Sequence, residues 1–404
     1  MLHLKGAIYV SATPMDSQTK HRILPTMTDQ PRFTIGSYCS SIVWGGLEMN
    51  VVRFLVWMRE RGWPVVLYAN PDTVLAEKAR ELKIPLRGIR VPSELSALWK
   101  ARHLCRLIEM DKTRVMIMHQ SRDLLVCSMA GRYAGSKLKV IYSQNMHLGN
   151  KRDPIHAFQY RRLDAFVAPL PILAEQARKQ TVVRPERIHI IPHGIELDQF
   201  VNREDRIGSR RKLSLPIDLP ILGIIGRLDP KKGQLTGVKA LARLRASGHN
   251  CHLLIVGNST LNEGDAYAAA VRNTVKESGL TDYVHFRPHQ ERPQVAYGAM
   301  DIFALTSQSE TYGLVTIEAM ASGLPVIGTD SGGTIDIIDH EKTGLRVLFE
   351  DDAALASAVG RLIDDPSYAA RLAAQGKQDA LAKYSHHTQC ERWESLLRAL
   401  VLPA

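Results

Sequence analysis

From residue 32 onward, short apolar runs alternate with longer stretches of helical period. "RFTIGSYCS" (32–40) reads as a strand, "WGGLE" (44–48) as a glycine turn, and "MNVVRFLVWMRERG" (49–62) as a helix closed by Gly62. "PVVLYAN", "VMIMHQS", "LKVIYSQN" and "DAFVAPL" are further strands, with "ELSALWKARHLCRLIEM" and "SRDLLVCSMAGRYAG" as helices between them. Strands that are apolar almost throughout and alternate with helices predict a parallel sheet covered on both faces.

"RIHIIPHGIELDQF" (187–200) interrupts the rhythm with Pro192 and Gly194, and "VNREDRIGSRRKLSLPIDLP" (201–220) reads as an irregular polar junction. The alternation then restarts through "ILGIIGRL", "HLLIVGN", "VHFRPH", "DIFALTS", "PVIGTD" and "TGLRVLF", and the chain ends helical. The pattern therefore predicts an α/β fold of two doubly wound domains, 31–190 and 191–384, followed by a helical segment 385–404. Residues 1–30 carry no amphipathic period and read as a disordered extension, with Met27 as an alternative start. Two such sheets bind ligands at the carboxyl ends of their strands, so the site is expected between the domains.

A chain of 404 residues is long enough for this division. Its five cysteines form no C-x-x-C pair, which argues against a disulfide framework or structural zinc and suits a reducing cytoplasm. No apolar run reaches the roughly 18 residues of a membrane span. Charge changes the picture more. The first 180 residues hold 27 Lys and Arg against 14 Asp and Glu, so the whole net excess of +11 falls in the first half. A basic half attracts anionic partners such as phosphorylated glycans or lipid headgroups; the alternative is a basic surface that serves solubility alone. Nucleic acid is not expected, because aromatics are sparse and no nucleic-acid-binding motif occurs.

Four glycine-bearing strand exits carry the candidate chemistry. In "GRLDPKKGQ" (226–234), Arg227 and Lys232 can converge on one anion, the guanidinium as a fork and the ammonium as a point charge. The alternative is a pair of solvated loop cations. In "SETYGLVTIEAMASGLPVIGTDSGG" (309–333), Glu310 precedes a helix start at Tyr312, Gly313 and Leu314, where amides can hold an oxyanion or a hydroxyl. Glu318 lies two turns on, about 10 Å away, which is too far for a shared proton and suits the two ends of an extended ligand. The alternative makes Glu310 a helix-start acid and leaves Glu318 in solvent. "TDSGGTID" (329–336) repeats the device, and Gly45 and Gly46 form a matching turn in the first half. His119 ends a strand and should face the cleft; His147, His193 and His289 are further polar candidates, and His386 and His387 are expected on the surface. No metal-ligand spacing, D-x-D pair, Walker loop or G-x-G-x-x-G is present, so no metal or cofactor is expected.

Taken together, "GGLE" (45–48), "HIIPHGIELDQF" (189–200), "GRLDPKKG" (226–233), the 309–333 stretch and "KTGL" (342–345) resemble the retaining nucleotide-sugar-dependent glycosyltransferases of family 4. That family has the GT-B fold, two Rossmann-like domains facing each other across a cleft. The resemblance implies that Arg227 and Lys232 hold the diphosphate of a UDP- or GDP-sugar, Glu310 the sugar hydroxyls and Glu318 the ribose. His119 would lie near the donor sugar and the attacking hydroxyl. Gly46, Gly257, His289, Tyr312, Gly313 and Leu314 would complete the donor side, with Gly45 and His147 toward the acceptor. The acceptor would be a glycan or lipid-linked molecule bound by the first domain, and the last helix would cross back to that domain. The segment 142–170 is loosely similar to a lipopolysaccharide-type subgroup, which suggests a cytoplasmic enzyme of cell-envelope synthesis, peripheral on the inner membrane face. Asp336 and Tyr312 depart from the family's more usual Glu and Phe. A non-catalytic sugar-nucleotide sensor and a GT-B epimerase or phosphorylase are the competing classes.

Overall fold

The computed structural model describes residues 33–90, 97–201, 204–259 and 263–402; the extension expected over 1–30 lies outside them. In the first half, β1 (Thr34–Cys39), β2 (Val65–Ala69), β3 (Leu86–Gly88), β4 (Thr113–Met118), β5 (Lys139–Ser143), β6 (Ala165–Ala168) and β7 (Ile188–Ile190) build one sheet. Its order is β3-β2-β1-β4-β5-β6-β7, and every pairing is parallel. In the second half, β8 (Ile221–Ile225), β9 (His252–Val256), β10 (Val284–Arg287), β11 (Ile302–Leu305), β12 (Val326–Thr329) and β13 (Leu345–Val347) form a parallel sheet in the order β10-β9-β8-β11-β12-β13. The order reverses between β1 and β4 and between β8 and β11, and it is at such switch points that doubly wound sheets open a crevice at their carboxyl ends. These are two Rossmann-like domains in the GT-B arrangement.

Both faces of each sheet are covered, as the unbroken apolar strands require. Val65–Ala69 is buried at every position, and so is His252–Val256. One apolar cluster crosses from domain to domain, holding Leu170 and Leu173 of the first with Tyr297, Tyr312 and Ile337 of the second. The helix His386–Val401 lays Cys390, Trp393 and Leu397 among Phe54, Trp57 and Trp63 of the first domain. Glu394 on that helix accepts from Arg61 Nε at 2.8 Å and from Trp63 Nε1 at 3.0 Å.

Two sequence expectations change. The polar stretch 201–220 is not wholly irregular, because it contains the helix Arg206–Lys212, capped by Asp205 accepting from Gly208 N at 2.6 Å. Arg210 on this helix is completely buried. Its guanidinium donates to Ala299 O and Leu219 O at 3.0 Å each, to Ile217 O, and to the Asp301 carboxylate, so the buried charge is fully partnered. His386, expected on the surface, is half-buried with its ring 5.0 Å from Trp57, because it begins the helix that returns to the first domain. His387 is exposed.

All five cysteines are free and buried. No helix among the described residues is long and apolar enough to cross a membrane.

Candidate functional site

The loop after β8 is held in place by backbone contacts that only glycine permits. Gly257, with φ 152°, lets the exit of β9 approach so closely that a Cβ there would sit 1.9 Å from Gly226 O. Gly233, with φ 65°, would likewise place a Cβ 2.1 Å from Thr306 O. Between them, Asp229 accepts from Lys231 N at 2.9 Å, and Lys232 O accepts from Thr306 Oγ1 at 2.7 Å. The basic loop is thus fixed to the carboxyl end of β11, the neighbour of β8 in the sheet.

This placement brings Lys232 to Glu310. The ammonium pairs with Glu310 Oε1, and Ser307 Oγ donates to the same oxygen at 2.8 Å. Glu310 therefore does not cap the following helix; its carboxylate points to the basic loop. Arg227 is exposed and makes no ion pair among the described residues, while its carbonyl accepts from Gln234 Nε2 at 2.8 Å. The helix Leu314–Ala321 begins after Gly313 with no side-chain cap, leaving its amino end available to a ligand.

Glu318 is not left in solvent. It accepts from Tyr297 Oη at 2.8 Å, and burial raises its carboxyl pKa above the ordinary value against the opposing effects of Tyr297 and Arg53. Arg53 belongs to the helix Gly46–Glu60 of the first domain, so this carboxylate senses both domains.

Across the cleft, His119 follows β4 and is 6% exposed. Its Nε2 is 2.8 Å from Ser37 Oγ, and its Nδ1 is 3.5 Å from Asn145 Nδ2. Burial, reinforced by His193, lowers its pKa to about 3, so the ring is neutral at ordinary pH. Burial also lowers His193 to about 4. The His193 carbonyl accepts from Tyr312 Oη at 2.6 Å, which turns the Tyr312 side chain to the domain seam. Ser309 Oγ and His147 Nε2, from opposite domains, lie 3.5 Å apart.

Gly45 and Gly46 open the helix Gly46–Glu60, which also lacks a side-chain cap, and a Cβ on Gly46 would meet nothing within 4 Å. In the segment that leads from β1 to this helix, Ser40 donates its backbone N–H at 3.3 Å and its hydroxyl to Asp123; burial raises the Asp123 pKa to about 6 although the Ser40 bonds oppose the shift. Leu228 of the basic loop and Gly257 border a cavity of about 420 Å³ that Asn258, Phe286 and Arg287 help to line. His289, exposed, donates its backbone N–H to Asn258 Oδ1 at 3.1 Å.

The structure thus unites Lys232 with Glu310 and fastens Tyr312 to His193, while Arg227 and His289 stand in the open. Sequence reasoning missed Ser307, Ser37, Asn145 and Asp123. Ser307 stood in plain view beyond "DIFALT", whereas Ser37 is mid-strand and nothing local marks it as a partner for His119. Among the described residues, no group of three or more His, Cys, Asp or Glu could hold a metal ion.

Two Rossmann-like domains with parallel sheets, the second holding a basic loop whose Lys232 pairs with Glu310 at the strand ends, define a GT-B protein. The model of "Glycosyltransferase Family 4" matches residues 44–199, and that of "Glycosyl transferases group 1" matches 205–379. The chain belongs to this glycosyltransferase family. It is 31% identical over 294 residues to a D-inositol 3-phosphate glycosyltransferase of Nocardia farcinica, covering 72% of this chain and 63% of the relative. A GDP-mannose-dependent alpha-(1-6)-phosphatidylinositol monomannoside mannosyltransferase of Mycolicibacterium smegmatis is 28% identical over 312 residues, 74% of this chain and 79% of the relative. Several curated relatives are matched over less than two thirds of their own length. A glycosyltransferase structure from Rickettsia africae superposes with a TM-score of 0.85 at 16% identity, over 93% of this chain and 100% of that one, a likeness of fold.

Proposed function

We propose that this chain transfers a hexose from a nucleoside diphosphate sugar, UDP- or GDP-linked, to a hydroxyl of a glycan or lipid-linked acceptor, with retention of configuration. The observation that carries the reading is the Lys232–Glu310 pair, set by Thr306 and Ser307 at the switch point of the second sheet. Without donor, the carboxylate neutralises the ammonium. With donor bound, Lys232 and the unpaired Arg227 face the diphosphate and Glu310 and Ser307 turn to sugar hydroxyls. Glu318 takes the ribose, and the uncapped starts at Gly46 and Leu314 add helix-end dipoles. As the bond from sugar C1 to phosphate breaks, charge gathers on the leaving diphosphate, and cations already in place stabilise it without reorganising. The acceptor hydroxyl attacks from the same face and gives its proton to the departing phosphate. His119, neutral and held by Ser37, positions hydroxyls by hydrogen bonding.

The named activities of the two relatives support a sugar-nucleotide donor and a phosphorylated or lipid-linked acceptor. The basic first half fits a role in cell-envelope glycan or lipopolysaccharide synthesis, peripheral on the anionic inner leaflet. A panel of UDP- and GDP-hexoses, with and without phosphorylated and lipid-linked acceptors, assayed for release of nucleoside diphosphate, tests the assignment. Acceptor-stimulated release that Glu310→Gln abolishes is expected; binding of donor with no release under any acceptor would instead favour a sensor.

A further inference from the structure

At the opposite edge of the first sheet, where β5, β6 and β7 begin, the protein carries a second concentration of positive charge. A cavity of about 450 Å³ is lined by Arg132, Arg161, Arg162 and Arg187 together with Ser128. A neighbouring cavity of about 230 Å³ shares Arg161 and Arg187 and adds Arg184 and Tyr160. Arg162 lies just before β6 and Arg187 immediately before β7, so these cavities open at the amino ends of the strands. The proposed donor cleft lies at the carboxyl ends, a strand's length away.

Three observations mark this as more than a basic surface. First, none of the five guanidinium groups forms an ion pair among the described residues. Arg187 Nη1 donates to Leu163 O at 2.7 Å, and Arg162 lies over the Phe158 ring at 3.9 Å. Second, the one acid lining either cavity, Asp164, is already engaged by Lys139 Nζ at 3.3 Å and Val140 N at 2.9 Å. Third, Ser128 Oγ and Tyr160 Oη have no hydrogen-bond partner, although Ser128 is only 5% and Tyr160 only 1% exposed. A buried hydroxyl without a partner costs stability, and here one such group belongs to the lining of each cavity.

Helix ends explain part of the arrangement. Arg132 is in the last turn of the helix Leu124–Tyr133 and Arg161 closes the helix Pro154–Tyr160, where cations complement the dipole. That account leaves Arg162, Arg184, Arg187 and both hydroxyls unexplained.

We propose that the two cavities form a binding site for a phosphate-type polyanion, separate from the donor cleft. Guanidinium forks suit the oxygens of a phosphomonoester or diphosphate, and Ser128 and Tyr160 supply the hydroxyl donors an anion would satisfy. The same chemistry is offered by a soluble phosphate ester and by an anionic lipid headgroup, for which Ile155 and Phe158, exposed on the adjoining helix, provide an apolar rim.

The test is calorimetric titration of pyrophosphate into the wild type, Arg132→Gln/Arg161→Gln, Ser128→Ala, and Arg227→Ala/Lys232→Ala. Co-sedimentation of the same proteins with vesicles of pure phosphatidylcholine or with added phosphatidic acid runs alongside. Expected are a pyrophosphate-binding event that survives Arg227→Ala/Lys232→Ala, weakens at least tenfold in the arginine double variant, and weakens severalfold in Ser128→Ala. A preference for phosphatidic acid that the arginine double variant loses identifies a lipid headgroup as the source; pyrophosphate binding without it identifies a soluble ester. If the Arg132→Gln/Arg161→Gln variant retains wild-type circular dichroism and binds pyrophosphate and vesicles as the wild type does, these arginines serve helix ends only and the proposal is overturned. Loss of donor turnover in Arg227→Ala/Lys232→Ala with this site intact separates the two sites.

Discussion

Replacing Lys232 by alanine separates the transition-state role of the basic loop from its structural one. The side chains of Lys232 and Glu310 are 27% and 17% exposed, so the pair is partly screened, and losing it should lower folding stability by no more than about 1 kcal/mol. Glu310 would still accept from Ser307 at 2.8 Å, and the loop would keep its backbone anchors to Thr306 and Gln308 at 2.7 Å each. The loss in catalysis should be far larger. Removing a preorganised cation from a site of developing negative charge costs about 2–4 kcal/mol, or roughly 30- to 900-fold in turnover. The assay is initial-rate nucleoside diphosphate release on Lys232→Ala, Glu310→Gln and the double variant, with urea denaturation of each. The double variant should be slower than either single variant, because the two groups touch different parts of the donor. Turnover of Lys232→Ala within about twofold of wild type would refute the reasoning, and so would an activity loss that merely follows unfolding.

Four further consequences can be checked. His119, lowered to about 3, and His193, lowered to about 4, are neutral when folded but bind protons when unfolded below about pH 6.5. Their contribution to stability is therefore lost as pH falls from about 6.5 toward 3, by up to about 1.4 kcal/mol per pH unit for each. Asp123, raised to about 6, has the opposite slope between about pH 4 and 6, so the comparison is His119→Gln against wild type in urea at several pH values, and an unchanged profile would exclude the buried-histidine account. Gly257→Ala should destabilise by at least about 1–3 kcal/mol in urea, since its Cβ would meet Gly226 O at 1.9 Å. Gly46→Ala meets nothing within 4 Å and should leave the urea midpoint unchanged or higher while raising the KM for donor; an unaltered KM would remove Gly46 from the donor site. Asp336→Ala removes the acceptor held 2.7 Å from Ile172 N at an otherwise uncapped helix start in the other domain, and should cost about 1 kcal/mol, read by thermal denaturation.

Much of this architecture was legible because its signals are local. Unbroken apolar strands separated by helices specify parallel sheets, and a strand exit such as "GRLDPKKG" or "SETYG" shows its chemistry in a few consecutive residues. What escaped depends on sheet order and on side-chain direction. That Lys232 meets Glu310, 78 residues further along the chain, follows from β8 lying beside β11, and no local pattern encodes that adjacency. Ser37 reaches His119 because β1 and β4 are paired, again a long-range fact. The motif marks Tyr312 by its backbone at the helix start, and nothing local shows that its hydroxyl bonds to the His193 carbonyl. β3 is only three residues long, and Arg210, inside a stretch whose polarity reads as a junction, is buried among four acceptors contributed by distant and local backbone and by Asp301.

The central claim is that this site moves a sugar from a nucleoside diphosphate while keeping its anomeric configuration. Proton NMR of the first-formed product, recorded before any anomeric exchange with the donor identified by the release assay, tests it most directly. The account predicts a product anomeric coupling of the same class as that of the donor, formed in step with nucleoside diphosphate and lost in Lys232→Ala. A product of inverted configuration would contradict it.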